Sequence, residues 1–388
     1  MVVIGAGPAG EKAATQAAYF GRRVAIVDRR EAPGGAAAGS GGIPTKTLRE
    51  TALYLTGFRR RELYGVSMAL MPELALERLK IRTAEVTAAM TEAVRRNLDR
   101  NGIDLIQGQA SIGRDRQVVV RLPDGSSRRM EAEIVLVATG SRPLRPATVP
   151  FDDPDVHDSE TILQLERIPG SPVVIGGGPV GCEYASIFTA LGVTVTLVDV
   201  ADRLLPFADA EVSNGLAQTF TEMGMRVDLG SGMAMVERAN GNLHVRLADG
   251  EILEPDKVLF AAGRAGNTEN LGLGETGVKL DPRGRIAVDE RYRTTVEWLY
   301  AAGDVIGPPA LASVAAEQGR VAACHAFAIP FKQTVDPLPP YGVYSIPEVA
   351  MVGMTEEAAA GNGLDWEVGR AWLADNARCR IAGTGQFT

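Results

Sequence analysis

Cysteine is scarce in these 388 residues. The three present, Cys182, Cys324 and Cys379, lie far apart and form no CxxC pair and no metal-ligand spacing. Neither a disulfide framework nor a metal site is expected, and a reducing cytoplasm is the simplest setting. An excess of positive charge is also missing. The net charge of -8 argues against a general nucleic-acid binder, which carries a basic face. One basic run, Arg59-Arg60-Arg61, passes at once into Glu62 and Leu63 and reads as a solvated helix end. No apolar run suits a membrane span. The most apolar stretch, Val173 to Val198, is broken by glycines, Pro179 and Glu183, as a buried strand-helix-strand unit would be. The apolar start at Met1 is interrupted by Gly5 and Gly7 and has no basic leader, so no signal peptide is expected.

What is abundant is glycine, 44 residues of it, much of it in short clusters. Hydrophobic residues at 45% and charged residues at 23% suit a soluble globular chain, and the length predicts two or three domains. Val2 to Ile4 reads as a strand, Gly10 to Phe20 as a helix, and Val24 to Val27 as a second strand ending in Asp28. A Gly-rich stretch, Gly34 to Gly42, leads to a helix start near Ile43-Pro44-Thr45-Lys46. Leu79, Val86, Met90, Val94 and Leu98 keep helical spacing up to Gly102. Strands follow to Val137, with a hairpin turn at Pro123-Asp124-Gly125. Pro143 to Asp158, rich in proline and aspartate, reads as a linker. The opening pattern then recurs: a strand at Val173 to Ile175, a turn at Gly176, a helix, and a strand from Val193 to Val198 ending in Asp199. Phe260-Ala-Ala-Gly263 echoes Val137-Ala-Thr-Gly140, so the chain holds two distantly similar halves.

A lone GxGxxG is weak evidence; here it occurs twice in full context. Gly5, Gly7 and Gly10 form the first copy, and Gly176, Gly178 and Gly181 the second. Each follows an apolar strand, opens a helix, and precedes by 18 residues an acid at a strand end, Asp28 or Asp199. The first glycine makes the tight turn, the second lets backbone approach a pyrophosphate, and the third lets helix and strand pack. The helix N-terminus offers N–H groups to phosphate, and the carboxylate accepts from ribose hydroxyls. Asp199 favours NAD by repelling a 2′-phosphate; Arg203 is positioned in sequence to offset that for NADP, or is an ordinary surface arginine.

With these motifs in hand, the chain resembles the pyridine nucleotide-disulfide oxidoreductases, which include glutathione reductase and dihydrolipoamide dehydrogenase. The matching residues are Gly5-Ala-Gly-Pro-Ala-Gly10, Gly34-Gly35, Ile43-Pro-Thr-Lys46, Ala138-Thr-Gly140, Gly176 to Gly181 with Glu183, Gly263-Arg264 with Asn267-Thr268, and Tyr300-Ala-Ala-Gly-Asp304. Where that family carries two cysteines with four residues between them, this chain has Ala37 and Gly42, so dithiol chemistry is not expected there. A transhydrogenase branch of the family works without the disulfide. The chain is similar to that branch at Thr47-Leu-Arg-Glu50, Leu53 to Gly57, Arg61 to Gly65, Gly181-Cys-Glu-Tyr-Ala-Ser186, Gly303 to Gly307, Tyr344-Ser-Ile-Pro-Glu348 and Glu367 to Ala371.

The resemblance implies an α/β fold with two Rossmann-like, doubly wound dinucleotide-binding domains and the start of an α+β interface domain. The expected boundaries are residues 1–149 and 267–337 for FAD, 150–266 for NAD(P), and 338–388 for an interface domain that continues beyond Thr388; a few residues before Met1 are also expected. The full-length protein is expected to be a homodimer or higher homo-oligomer, with nicotinamide dinucleotides as substrates. The implied cofactors are FAD, NAD and NADP. FAD-dependent hydride transfer from NADPH to NAD is the expected activity. An NAD(P)H oxidase or diaphorase, a dihydrolipoamide-dehydrogenase-like protein without its disulfide, and a non-catalytic dinucleotide-binding fragment are the alternatives. Lys46 and Glu183 are the expected catalytic pair. Gly34, Gly35, Thr139, Gly140, Gly263, Gly303, Asp304 and Ala312 join the two fingerprints as implied cofactor contacts, with Asp304 on the ribityl chain. His157, His244 and His325 match no catalytic position and read as structural or surface residues.

Overall fold

An apolar strand of three residues can be buried on both faces only if helices cover it and its neighbours run parallel. Val2-Val-Ile4 and Val173-Val-Ile175 meet that condition, with each residue 4% exposed or less. The computed structural model describes residues 1–57 and 72–382. The chain divides into two compact units: Met1–Pro44, Glu85–Arg142 and Arg264–Pro339 in the first, and Thr45–Ala84, Pro143–Gly263 and Pro340–Thr388 in the second.

The first unit is built on a five-stranded sheet in the order Leu299–Ala301, Val135–Val137, Val2–Ile4, Ala25–Asp28, Asp104–Gln107. All pairings are parallel, with Val3 between Ile26 and Leu136. Helix Pro8–Tyr19 lays Ala9, Ala13, Ala14 and Ala17 into the core and packs on helix Ala312–Ala326. The contact is close because residue 319 is glycine: a Cβ there would lie 2.1 Å from the Ala9 carbonyl oxygen. An antiparallel sheet of Gln109–Ile112, Gln117–Arg121 and Ser127–Glu131 carries the expected hairpin, whose Asp124 carboxylate accepts from the Ser126 amide.

The second unit repeats the plan. Its parallel sheet runs Arg226–Leu229, Thr196–Asp199, Val173–Ile175, Val258–Phe260, Val156–Asp158. In both sheets the strand that feeds the glycine turn is central, between the next strand in sequence and the strand that returns later. That reversal of winding opens a crevice at the strands' carboxyl ends. Helices Pro179–Ala190, Ala210–Glu222 and Ile43–Thr56, and the pair Tyr341–Val343 with Val349–Met351, complete this unit.

Three expectations need correction. Pro143 to Asp158 is not simply a linker: Val156–Asp158 is an edge strand, and Val149 is 4% exposed. Its aspartates disguise it, because three of the four are answered by cations, Asp158 by Arg145. Asp153 and Asp155 pair with Arg238, and Asp155 also with Lys257. The first helix starts at Pro8 rather than Gly10, since proline's fixed φ and missing N–H suit a helix's first position. The ladder expected from Val193 begins at Thr196, although Val193 and Val195 are buried. Arg59-Arg60-Arg61 and the stretch Arg61 to Gly65 lie outside the described residues. Among the described residues no helix is long and apolar enough to cross a membrane.

Asp158, 1% exposed, ties the edge strand down. Its carboxylate accepts from Arg145 Nε at 2.9 Å and from the Glu160 and Thr161 amides at 2.8 and 2.9 Å. Burial alone would raise this carboxyl; the Thr161 amide, the Arg145 guanidinium and the Glu160 amide outweigh it and hold it below the usual carboxylate range. Because the folded value is depressed, the stabilisation is full above about pH 4 and is lost as pH falls further. Asp158→Ala is expected to cost about 2–3 kcal/mol at pH 7 by leaving these donors unmatched. In urea titrations the gap between wild type and variant should narrow by pH 3; a constant gap would contradict this account.

Candidate dinucleotide and redox sites

The six fingerprint glycines do different physical work. A Cβ on Gly5 would meet the Ala138 carbonyl oxygen at 2.3 Å, and one on Gly10 would meet the Gly5 oxygen at 1.9 Å. In the second unit a Cβ on Gly176 would lie 2.8 Å from Ala261 C, and one on Gly181 would lie 1.7 Å from the Gly176 oxygen. The protein's own packing therefore forbids a side chain at the first and third positions. The middle glycines differ: a Cβ on Gly7 has nothing nearer than Gly35 Cα at 3.8 Å, and one on Gly178 has nothing within 4 Å. Space is open there on the side where backbone is exposed. Gly7 and Gly178 are N-caps of helices Pro8–Tyr19 and Pro179–Ala190, and neither helix start is capped by a side chain. Each therefore presents first-turn N–H groups and dipole to open space, a cradle that fits a diphosphate.

The two strand-end acids mirror one another. Asp28 accepts from the Ala6 amide at 2.6 Å and the Arg30 amide at 2.9 Å. Asp199 accepts from the Gly177 amide and from the Ala201 amide at 2.8 Å. Each carboxylate thus staples its glycine turn to the next strand, and its remaining lone pairs are free to receive hydroxyl donors. Arg203 is not directed at Asp199. Its guanidinium donates to the Pro206 carbonyl at 3.1 Å and lies 3.5 Å from Glu357.

In the first unit, Gly5, Asp28 and Thr139 line a cavity of about 160 Å³ with Gly108, Gln109 and Ala110. The last three carry no motif in the sequence; they lie at the junction of strands Asp104–Gln107 and Gln109–Ile112. Thr139 is fixed by reciprocal bonds, its hydroxyl donating to the Asn267 carbonyl at 2.7 Å and the Asn267 amide group to the Thr139 carbonyl at 2.9 Å. Gly140 accepts from the Asn267 amide at 3.0 Å. Gly34 caps helix Gly35–Gly39, and the missing side chain of Gly35 lets that turn approach Gly7. Gly303 donates to Gln318 Oε1 at 2.8 Å, Asp304 accepts from the Ser141 hydroxyl at 3.0 Å, and Arg264 Nε donates to Ser141 at 2.7 Å. Ala312 is exposed at the first position of its helix, whose start also lacks a side-chain cap. Gly263, in the second unit, accepts from the Leu144 amide at 3.1 Å.

Lys46 and Glu183, 137 positions apart, meet in the second unit. Lys46 Nζ lies 2.8 and 2.9 Å from the two carboxylate oxygens of Glu183. Lys46 sits on the first turn of helix Ile43–Thr56, where the helix dipole disfavours a cation, and Glu183 supplies the missing counter-charge. The lysine side chain is 30% exposed and the glutamate 7%, so the pair is half open to the outside. The Tyr344 amide donates to Glu183 Oε1 at 3.0 Å, and the Tyr344 ring centroid is 5.0 Å from Lys46 Nζ. The sequence marks Tyr344 only as part of a motif; its contact with both charges is a property of the fold.

Positions 37 and 42 carry no thiol. At Gly42 a Cβ would meet the Ala37 oxygen at 2.5 Å and Ala37 Cα at 2.9 Å, so the backbone has closed over the space a side chain would need. Cys182 is fully buried and donates to the Gly177 carbonyl at 3.3 Å; burial, then the Asp199 and Glu183 charges, push its thiol far above the usual range. Burial also raises Cys324. A thiol held protonated is neither a nucleophile nor a redox partner. His325 Nδ1 is 2.9 Å from the Tyr300 hydroxyl, and His244 lies 3.5 Å from Glu254. His157 has a buried Nε2 with no partner, and burial followed by the nearby Lys257 charge lowers its basicity.

Residues 1–319 match the family model described as pyridine nucleotide-disulphide oxidoreductase, and the chain belongs to that family. Among its relatives are the soluble pyridine nucleotide transhydrogenases of Mycobacterium tuberculosis and Pseudomonas putida. The first is 42% identical over 387 residues, covering 99% of this chain and 82% of the relative. The second is 39% identical over 391 residues, covering 100% and 83%. Among solved structures, LpdA from Mycobacterium tuberculosis superposes with a TM-score of 0.88 at 31% identity, over 98% of this chain and 84% of LpdA. The flavoprotein disulfide reductase RclA from Escherichia coli gives 0.86 at 28% identity, over 99% and 84%. These matches fix the fold class as the paired α/β, glutathione-reductase-like architecture.

The glycine geometry generates a contrast measurable by thermal denaturation of protein stripped of bound cofactor. Gly7→Ala should change stability by less than about 0.5 kcal/mol, because its Cβ enters open space. Gly10→Ala should cost upwards of about 1–3 kcal/mol, because strand or helix must move. Equal losses would contradict the division of roles.

Proposed function

We propose that the protein is an FAD-dependent enzyme that passes hydride between NADPH and NAD without a redox disulfide. The observation that carries this reading is the pairing of two open, uncapped glycine turns with the absence of any usable thiol at positions 37 and 42. The names of the transhydrogenase relatives support the choice of reaction.

In the first unit the N-terminus of helix Pro8–Tyr19 would hold the FAD diphosphate, and Asp28 its adenosine ribose, with adenine in the cavity beside Gly108 to Ala110. Asp304 would accept from the ribityl hydroxyls. In the second unit the turn at Gly176 to Gly181 would hold the nicotinamide dinucleotide, with Asp199 on its ribose. Bound FAD supplies a two-electron carrier that accepts and returns hydride at one ring nitrogen. By the family resemblance, Lys46 would supply a fixed positive charge to the ring as it gains negative charge, and fixed charge costs no reorganisation during the reaction. Glu183 keeps the ammonium oriented and offers an acceptor to the nicotinamide carboxamide. Asp199 favours NAD by charge. Arg203, engaged with Pro206 and Glu357, would have to exchange those partners to receive the 2′-phosphate of NADP.

Anaerobic titration with NADPH should bleach the flavin after about one equivalent, with no thiolate-flavin charge-transfer band. A thionicotinamide analogue of NAD should then recover the electrons. Uptake of two equivalents with reduction of a disulfide substrate would overturn the reading, and NADPH consumption by oxygen without transfer to the analogue would favour an oxidase. Gly7→Val should purify folded but without flavin, since its side chain would occupy the diphosphate cradle. Lys46→Ala should keep FAD yet slow flavin reduction by about 10²–10³-fold; an unchanged rate would remove Lys46 from the chemistry.

A further inference from the structure

Arg49 is 1% exposed, the largest fully buried side chain among the described residues, and nothing in the proposed chemistry uses it. Burying a guanidinium is unfavourable unless its donors are matched. Its partners are informative. Nε donates to the Ser345 carbonyl at 3.1 Å, and one terminal nitrogen pairs with its neighbour Glu50. The other lies 2.7 Å from Glu348, at an angle outside hydrogen-bonding geometry. Two of the three contacts thus fall on the segment Tyr344–Glu348. The same segment grips the Lys46–Glu183 pair: Tyr344 donates its amide to Glu183 and turns its ring to Lys46, and the Ile346 amide donates to Ser186, one turn beyond Glu183, at 3.0 Å. Lys46 and Arg49 share helix Ile43–Thr56, and Glu183 and Ser186 share helix Pro179–Ala190. The segment therefore bridges the two helices that carry the ion pair, and Arg49 is its anchor.

We infer that Arg49 is a positioning residue: by holding the Ser345 carbonyl it sets Tyr344 against the Lys46–Glu183 pair, so that the ammonium is clamped between a carboxylate and an aromatic face. The fork of a guanidinium suits this task because its separate nitrogens face a carbonyl and two carboxylates at once, which a lysine's point charge cannot do. The clamp is a statement about the protein without ligand. Only its consequence for hydride transfer, a fall in kcat with little change in KM, rests on the function proposed above.

Reactivity of the Lys46 amine reads the clamp directly and needs no dinucleotide. An ammonium held by a carboxylate and a ring is a poorer target for acylation than one released to water. Trace acetylation of the folded full chain with acetic anhydride, quantified by peptide mass spectrometry, compares Lys46 with Lys257. Lys257 is 7% exposed and paired with Asp155 in the same unit, so it reports general loosening. In Arg49→Met, Lys46 labelling should rise about two- to fivefold, the size of a cation–π contact at a half-exposed site, with Lys257 unchanged. Tyr344→Ala should match it, Tyr344→Phe should behave as wild type, and Arg49→Lys should restore part of the protection. Glu348→Gln, at a side chain 54% exposed, should give a smaller rise in the same direction and serves if Arg49→Met does not fold. Unchanged Lys46 labelling in Arg49→Met and Glu348→Gln, or a rise in Lys257 in step with Lys46, would overturn the proposal. Because labelling is read before any turnover, its outcome is separate from that of the NADPH titration.

Discussion

A helix that ends at open space with no side chain over its first N–H groups leaves backbone donors to be satisfied from outside the chain. Everything distinctive in this protein is arranged around two such ends. The strand before each turn must be short and buried, so that the turn emerges at the edge of a parallel sheet. The first and third glycines are then required by the chain's own atoms, because a Cβ at either would overlap a backbone oxygen. The middle glycine is not required by the fold, and an unneeded absence of a side chain beside unsatisfied donors is a mark of a ligand. The acid at the next strand's end completes the device by accepting from the turn's amides, which holds the turn in shape before anything binds.

The second constraint is electrostatic. Lys46 is placed where a helix dipole resists a cation, and Glu183 compensates at 2.8 Å with a side chain almost wholly buried. A charge placed against its helix persists only if something else holds it. Here two helices and the Tyr344–Glu348 segment contribute, and a buried arginine fixes that segment in turn. Part of the desolvation of Arg49 is offset by Glu50 and Glu348, both of which remain largely in water. The arrangement gives a rigid anchor without burying all three charges.

How far the sequence speaks follows from the range of the interactions. The glycine turns, the strand-end acids and the Lys46 motif are legible because their constraints are local: a tight turn, a helix start and an acid at a fixed offset leave patterns within 30 residues. The edge strand at Val156–Asp158 was hidden, since its aspartates resemble linker residues until Arg145, Arg238 and Lys257 are seen to answer them. The residues beside the first unit's cavity, Gly108 to Ala110, are brought there by the meeting of two strands and belong to no local motif. Arg49 and Tyr344 are the clearest case. They lie 295 positions apart, and their role comes from a shared contact that neither residue's neighbours announce. The family resemblance implies the pairing of Lys46 with Glu183, while the third member of that cluster, Tyr344, joins it only through the fold.

The loss of the thiols is more than two substitutions. At position 42 the surrounding backbone itself requires glycine, with the Ala37 oxygen only 2.5 Å from where a Cβ would be. The Ala36 carbonyl accepts from the amides of Ser40, Gly41 and Gly42 at 3.0, 2.8 and 3.3 Å, which winds the segment tightly enough to need that glycine. A side chain at 42 would have to unwind it. The local backbone as it stands therefore does not accommodate a side chain at 42, and burial raises the thiols of Cys182 and Cys324 above their usual range. The second open glycine turn is a cradle that suits the pyridine nucleotide for which the family is named.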